Sequence, residues 1–264
     1  MTAKKSMLID VSKCIGCRSC QVACKQWNQL PGEKTAFTGS YQNPPKLSGI
    51  TWTLIQFIEP EEGETRWLFR KQQCLHCTDA SCVTACPTGA AQKREDGIVW
   101  IDQDMCTGCK YCVESCPFGT PQFNRTSGTA IKCRLCMDRV TNGLTTACSK
   151  ACPTDAINYG TREEMLVLAK KRKAAYIKAH PGSNPRIYGE TELGGLNVMY
   201  LLPEPASTYG LPENPRVPVG LKTLVKWFAG ILPVAGILFG VMRFFRDDAP
   251  SQPSQGADVN AGGV

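Results

Sequence analysis

Sixteen cysteines against two histidines define the chemistry open to this chain. The cysteines make up about 6% of its 264 residues and fall in four groups of four. Group one is Cys14-x2-Cys17-x2-Cys20-x3-Cys24, and group two is Cys74-x2-Cys77-x4-Cys82-x3-Cys86. Group three is Cys106-x2-Cys109-x2-Cys112-x3-Cys116, and group four is Cys133-x2-Cys136-x11-Cys148-x3-Cys152. A secreted disulfide scaffold is shorter, carries typically above about 8–10% cysteine, and has no reason to crowd its cysteines in this way. Three thiolates spaced by two residues can wrap a loop around a four-iron cubane and ligate three of its irons. The fourth, three residues on, is expected to open a helix, point away and ligate a neighbouring cluster. Pro87, Pro117 and Pro153 follow that cysteine in groups two to four. A proline there suits a first helical turn, where no N–H is needed.

Zinc is the structural competitor. An all-cysteine zinc site takes two CxxC pairs across a longer linker, whereas these are tight runs of four, repeated along the chain. Group three repeats the bacterial ferredoxin run without a departure. The extra residues in groups two and four alter loop shape and not ligand number. All sixteen cysteines therefore read as ligands of four [4Fe–4S] clusters. Full thiolate ligation leaves no open iron for a substrate, so the chain reads as a one-electron conductor with no catalytic residue of its own.

The formal charge is +7. Sixteen thiolates around four oxidised cluster cores would bring it to about −1. Lys13, Arg18, Lys25, Lys71, Lys110, Lys132 and Arg134 stand beside the cysteine groups and would offset the cluster charge. No basic stripe interleaved with aromatics appears, which excludes a nucleic-acid partner. His76, between Cys74 and Cys77, is expected on an exposed loop or as a donor to a cluster sulfur. His180 reads as surface, and Trp27, Trp52, Trp67 and Trp100 as packing residues.

The elements that must position these groups follow from the intervening pattern. Residues 1–72 carry group one and a hairpin, with strands over Ile50–Ile58 and Thr65–Phe69 joined across Pro60–Gly63. Residues 73–128 hold groups two and three, and 129–160 hold group four. Thr161 caps a helix to about Ala179, with Glu163 and Glu164 in its first turn and Pro181-Gly182 at its end. Over 161–216 this helix is followed by a Pro- and Gly-rich covering arm without a core of its own, with one strand-like run, Leu196–Leu202. Trp227–Met242 is uncharged and mostly apolar, 16 residues or about 24 Å of helix. Extending it to Leu221–Phe245, with Lys226 and Arg243 snorkelling and Trp227 at the interface, spans a bilayer of about 30 Å. A single transmembrane helix is expected over 217–246, in contact with membrane lipid, and a disordered tail over 247–264. Met1–Val11 has no apolar stretch of signal-peptide kind, so no signal peptide is expected.

Beyond the cysteines, the chain resembles the beta (iron–sulfur) subunit of membrane-bound formate dehydrogenase, within the four-cluster ferredoxin-type subunits of molybdopterin oxidoreductase complexes. The resemblance is carried by Leu8-Ile9-Asp10-Val11 leading into group one, by Cys20-Gln21-Val22-Ala23-Cys24 with Trp27-Asn28, and by Asn43-Pro44 with Leu47-Ser48. Gly160-Thr161 with Glu164-Met165-Leu166, Gly194-Gly195 with Val198-Met199-Tyr200, and Gly210-Leu211-Pro212 extend it through the tail. It implies an α+β fold of two ferredoxin-like modules, one inserted in the other. It also implies the ligand sets: Cys14, Cys17, Cys20 with Cys152; Cys133, Cys136, Cys148 with Cys24; Cys74, Cys77, Cys82 with Cys116; and Cys106, Cys109, Cys112 with Cys86. Its implied partners are a molybdopterin catalytic alpha subunit, with molybdenum or tungsten, and a membrane cytochrome b gamma subunit that reduces quinone. The implied location is the inner membrane, single-pass, with the cluster domain on the periplasmic side. The equivalent subunit of a polysulfide, sulfoxide or tetrathionate reductase is the alternative, and a non-conducting binding module is the rival from another class.

Overall fold

Met7, Leu8 and Ile9 are consecutive, apolar and all buried, as expected of a strand covered on both faces. The computed structural model describes residues 3–58 and 67–217. The strand is β1 (Lys5–Asp10), followed by α1 (Ser19–Trp27) and the antiparallel pair β2 (Leu54–Ile58) and β3 (Leu68–Gln72). Next come a one-turn helix α2 (Ser81–Thr84), the hairpin β4 (Ala91–Lys93) and β5 (Val99–Ile101), α3 (Tyr111–Glu114), and the hairpin β6 (Gln122–Asn124) and β7 (Thr129–Ile131). The order closes with α4 (Met137–Val140), α5 (Ala147–Lys150), β8 (Ile157–Thr161), α6 (Arg162–Ala179), β9 (Arg186–Tyr188) and β10 (Val198–Leu202).

Among the described residues the largest sheet has the order β8-β1-β10-β9, with β1 parallel to β10 and the other pairs antiparallel. Alternate side chains on its two central strands face opposite ways. Leu8, Met199 and Leu201 pack with Met165 and Ala169 of α6, while Met7, Ile9, Val198, Tyr200 and Leu202 pack toward Cys20 and Cys148. The sheet is thus wedged between α6 and the cysteine-lined interior. The short hairpins β4/β5 and β6/β7 pack with small residues, Ala80, Ala90, Ala91 and Ala130, around Cys82 and Cys112. This is the expected α+β class.

The helix expected after Thr161 is present, with a complete capping box: the Thr161 side chain accepts from Glu164 N–H and Glu164 Oε2 accepts from Thr161 N–H at 2.8 Å. Arg172, farther along it, ties Asp155 (2.7 Å) and buried Asp10 (3.5 Å) to the sheet. The 50–72 hairpin pairs later than its apolar run suggests, from Leu54↔Gln72 to Ile58↔Leu68. Thr51 instead forms a tight bridge with Ser48 and donates to Glu33 Oε2 at 2.7 Å.

The arm expected to lack a core proves to be part of the core. All of β10 is buried, and it lies between β1 and β9 in the centre of the sheet. Its run of five apolar residues with no polar alternation is what a strand covered on both faces needs. The helix expected over 217–246 and the tail over 247–264 lie, beyond Val217, outside the described residues. Among the described residues no helix is long and apolar enough to cross a membrane.

Candidate metal centres

The first CxxC turn of each group has the same backbone at its third position. Gly16, His76, Gly108 and Leu135 all have positive φ, at 69°, 47°, 71° and 54°. A left-handed residue there curls the loop and turns its N–H groups toward the preceding cysteine. His76 N–H donates to Cys74 Sγ at 3.5 Å and Leu135 N–H to Cys133 Sγ at 3.4 Å. Farther along, Ala91 N–H reaches Cys86 Sγ and Ala130 N–H reaches Cys106 Sγ, each at 3.4 Å. Glycine is required at position 108, where an added Cβ would stand 2.1 Å from the Gly128 carbonyl oxygen.

The helices start one cysteine earlier than expected. Cys20, Cys82, Cys112 and Cys148, the third of each group, lie in α1, α2, α3 and α5. In groups two to four the fourth cysteine lies beyond the end of its one-turn helix. Pro87, Pro117 and Pro153 therefore follow a helix and do not begin one, as prolines commonly do just after a C-cap. Group one has Lys25 instead, and α1 continues through Cys24 to Trp27.

Three cavities are each lined by four of the cysteines. Cys14, Cys17, Cys20 and Cys152 line the first, together with Ile9, Ile55 and Lys71. Cys24, Cys133, Cys136 and Cys148 line the second, again with Lys71. Cys74, Cys77, Cys82 and Cys116 line the third with Lys132. Cys112 has Cys106, Cys86 and Cys109 as its electrostatic neighbours. The sulfurs surround space instead of converging on a point. Among the described residues no three Cys, His, Asp or Glu side chains are arranged to hold a single metal ion. Burial pushes the thiols of Cys20, Cys82 and Cys136 up to about 12 and those of Cys112 and Cys133 to about 11. Sulfurs so desolvated become thiolates through a metal, which deprotonates a coordinating thiol outright. The donor set fits iron–sulfur clusters.

The sets also adjoin in a sequence. Cys20 and Cys148 are electrostatic neighbours, as are Cys133 and Cys74, and Cys82 and Cys112. Of the sixteen, Cys17 and Cys109 are exposed, one in each terminal set. The basic residues divide in role. Lys71 and Lys132 are buried among the sulfurs, whereas Arg18 lies over the Phe57 ring at 4.5 Å and Lys110 over Phe123 at 4.5 Å.

His76 is fully buried, not on an exposed loop. Burial, with Lys132 and Lys71 nearby, holds its imidazole well below the usual histidine range. Its Nδ1 accepts from Val99 N–H at 3.0 Å, which leaves the proton on Nε2. Trp52 is packed as expected. Trp27 is 42% exposed, donating to Asp138 Oδ2 at 2.7 Å and covering the Arg139 guanidinium at 4.3 Å. Asn197, which the sequence reading did not single out, donates Nδ2 to His76 O at 3.0 Å and to Gly97 O at 2.9 Å. An uncharged amide inside the apolar run Leu196–Leu202 was the available signal.

Family models described as "4Fe-4S dicluster domain" match residues 13–90 and 65–162. The nitrate-inducible formate dehydrogenase iron–sulfur subunit of Escherichia coli K12 is 41% identical over 90% of this chain and 81% of its own length. The chain belongs to the formate dehydrogenase iron–sulfur subunit family. The family's Haemophilus influenzae representative is 41% identical over 88% of this chain and 75% of its own. The Hydrogenase-2 operon protein HybA of Escherichia coli O157:H7 is 32% identical over 96% and 87%. Sixteen cysteines and two dicluster matches fit four [4Fe–4S] clusters in this formate dehydrogenase-type subunit. The match over 13–90 spans groups one and two, yet the first cavity unites group one with Cys152 of group four.

Proposed function

We propose that this chain is the electron-transfer subunit of a formate dehydrogenase complex, non-catalytic by itself. The observation that carries the reading is the lining of each of three cavities by one complete set of four cysteines, in a chain 41% identical to formate dehydrogenase iron–sulfur subunits. The four sets are those implied by the family resemblance, and each would hold one [4Fe–4S] cluster. When bound, such clusters accept and release single electrons. The chain's own residues hold the sulfurs, aim N–H groups at them and exclude water. The adjoining sets give the order group-one set, Cys24 set, group-two set, Cys86 set, with surface access at Cys17 and Cys109.

The partners in this reading are a molybdopterin alpha subunit that oxidises formate and a membrane cytochrome b gamma subunit that passes electrons to quinone. A helix within 217–246 would tether the chain to the inner membrane in a single pass, with the cluster domain on the periplasmic side. One module, residues 73–128, would be inserted within the other. Lysine residues among the sulfurs, in place of a phosphate-binding surface, support the exclusion of nucleic acid.

Anaerobic EPR on the detergent-purified native complex tests this reading. Formate alone is expected to raise reduced [4Fe–4S] signals that dithionite then increases. Reduction by dithionite and not by formate would keep the wire and reject the donor. Absence of iron–sulfur signals under both conditions would reject the whole reading.

A further inference from the structure

Two lysines are enclosed in the cysteine-lined interior: Lys71 is 2% exposed and Lys132 is 4%. Lysine is almost never so buried unless paired. Among the described residues neither forms an ion pair with a carboxylate. Their counter-charge is sulfur. Lys71 lines both the Cys14 cavity and the Cys24 cavity, and faces sulfurs of each, Cys20 in the first and Cys148, Cys133 and Cys24 in the second. Lys132 lines the Cys74 cavity and faces Cys74 and Cys82, but also Cys133 of the adjoining set.

Both side chains are held in place. Lys71 donates to Gln73 Oε1, and its carbonyl accepts from Tyr200 OH at 2.7 Å. Lys132 donates to Val99 O and to Cys133 O at 3.1 Å. A fixed cation in a poorly screened interior stabilises whichever neighbour gains an electron.

We propose that Lys71 and Lys132 are the potential-setting residues of this electron wire, each a countercharge shared between two adjoining cluster sites. Lys71 serves the Cys14 and Cys24 sets. Lys132 serves the Cys24 and Cys74 sets, at the passage from the outer cysteine groups to the inner ones. The Cys24 set therefore feels both charges and the Cys86 set neither. The inference rests on the reading of the four sets as cluster sites.

The test is EPR-monitored potentiometric titration of the intact complex with Lys71→Met and Lys132→Met, alongside iron content. Methionine keeps the length and removes the charge. The expected pattern is a lower midpoint potential for two clusters in each variant, with one cluster lowered in both and one in neither. Unchanged potentials in fully loaded variants, or an equal shift of all four, would overturn the proposal. If a methionine variant fails to load iron, the arginine variant at that position decides. Loading with potentials close to wild type supports the charge role, and failure to load makes the lysine a matter of shape and overturns it. A wild-type complex without iron–sulfur signals would instead reject the underlying reading.

Discussion

Asn197 grips the carbonyl of His76 twice, from its backbone N–H at 3.2 Å and from Nδ2 at 3.0 Å. The second bond is part of a wider junction. Asn197 O accepts from Met7 N–H and Ser6 Oγ, each at 2.8 Å, while Nδ2 also donates to Gly97 O. One residue, through its backbone and its side chain, thereby links β1, β10, the β4–β5 turn and the left-handed residue of the Cys74–Cys77 turn. Val198 N–H to Leu75 O (3.0 Å) and Thr78 N–H to Gly195 O (2.9 Å) continue the seam.

Asn197→Ala removes the Nδ2 donor from two carbonyls in a buried setting. His76 O keeps the bond from the backbone N–H of residue 197, so the cost falls on Gly97 O, about 1–3 kcal/mol for one buried group left unpaired. The expected result is a lower thermal midpoint, followed by visible absorbance, with the cluster held by the Cys74 set bleaching first. Uniform bleaching of all clusters would contradict this.

Gly108→Ala tests the left-handed turn in group three. The new Cβ meets the Gly128 carbonyl at 2.1 Å, and φ at +71° is itself unfavourable for alanine. Iron content is expected to fall from about sixteen to about twelve per chain, as one four-iron cluster is lost. Full iron content would show that the loop can shift away from Gly128.

Lys25→Pro makes group one look like the other three in sequence. In the structure it puts proline inside α1, where it clashes with the preceding turn, and it removes the Lys25 Nζ bonds to Pro31 O and Ile50 O, both 2.9 Å. Denaturant unfolding is expected to show a loss of about 3 kcal/mol. A neutral outcome would mean that α1 can end at Cys24 as the other helices end.

Cys152→Ala separates the two ways of grouping neighbours. Cys152 lies four residues after Cys148 but lines the cavity of Cys14, Cys17 and Cys20. The EPR signal altered in Cys152→Ala is expected to be the one altered in Cys14→Ala, while Cys148→Ala alters another. If Cys152→Ala and Cys148→Ala change the same signal, the set is wrongly drawn.

Local spacing carried much of this protein in plain view. The CxxC turn that opens each of the four groups, Gly16 and Gly108 where the backbone turns left-handed, and Thr161 with Glu164 at the start of α6 depend on residues a few positions apart, so sequence alone determines them. The fourth cysteine's relation to its helix was misread because a proline fits both a first turn and the residue after a last one. Tertiary structure decided what local spacing does not encode. It brought Cys152 to Cys14, seated Lys71 between two cavities, buried His76 and placed β10 at the centre of the sheet. Each of these rests on pairing between segments far apart in the chain, through the sheet order β8-β1-β10-β9 and the Asn197 junction. A cysteine run specifies which loop can wrap a cluster, but only the packed sheet determines which distant sulfur and which buried charge complete the site.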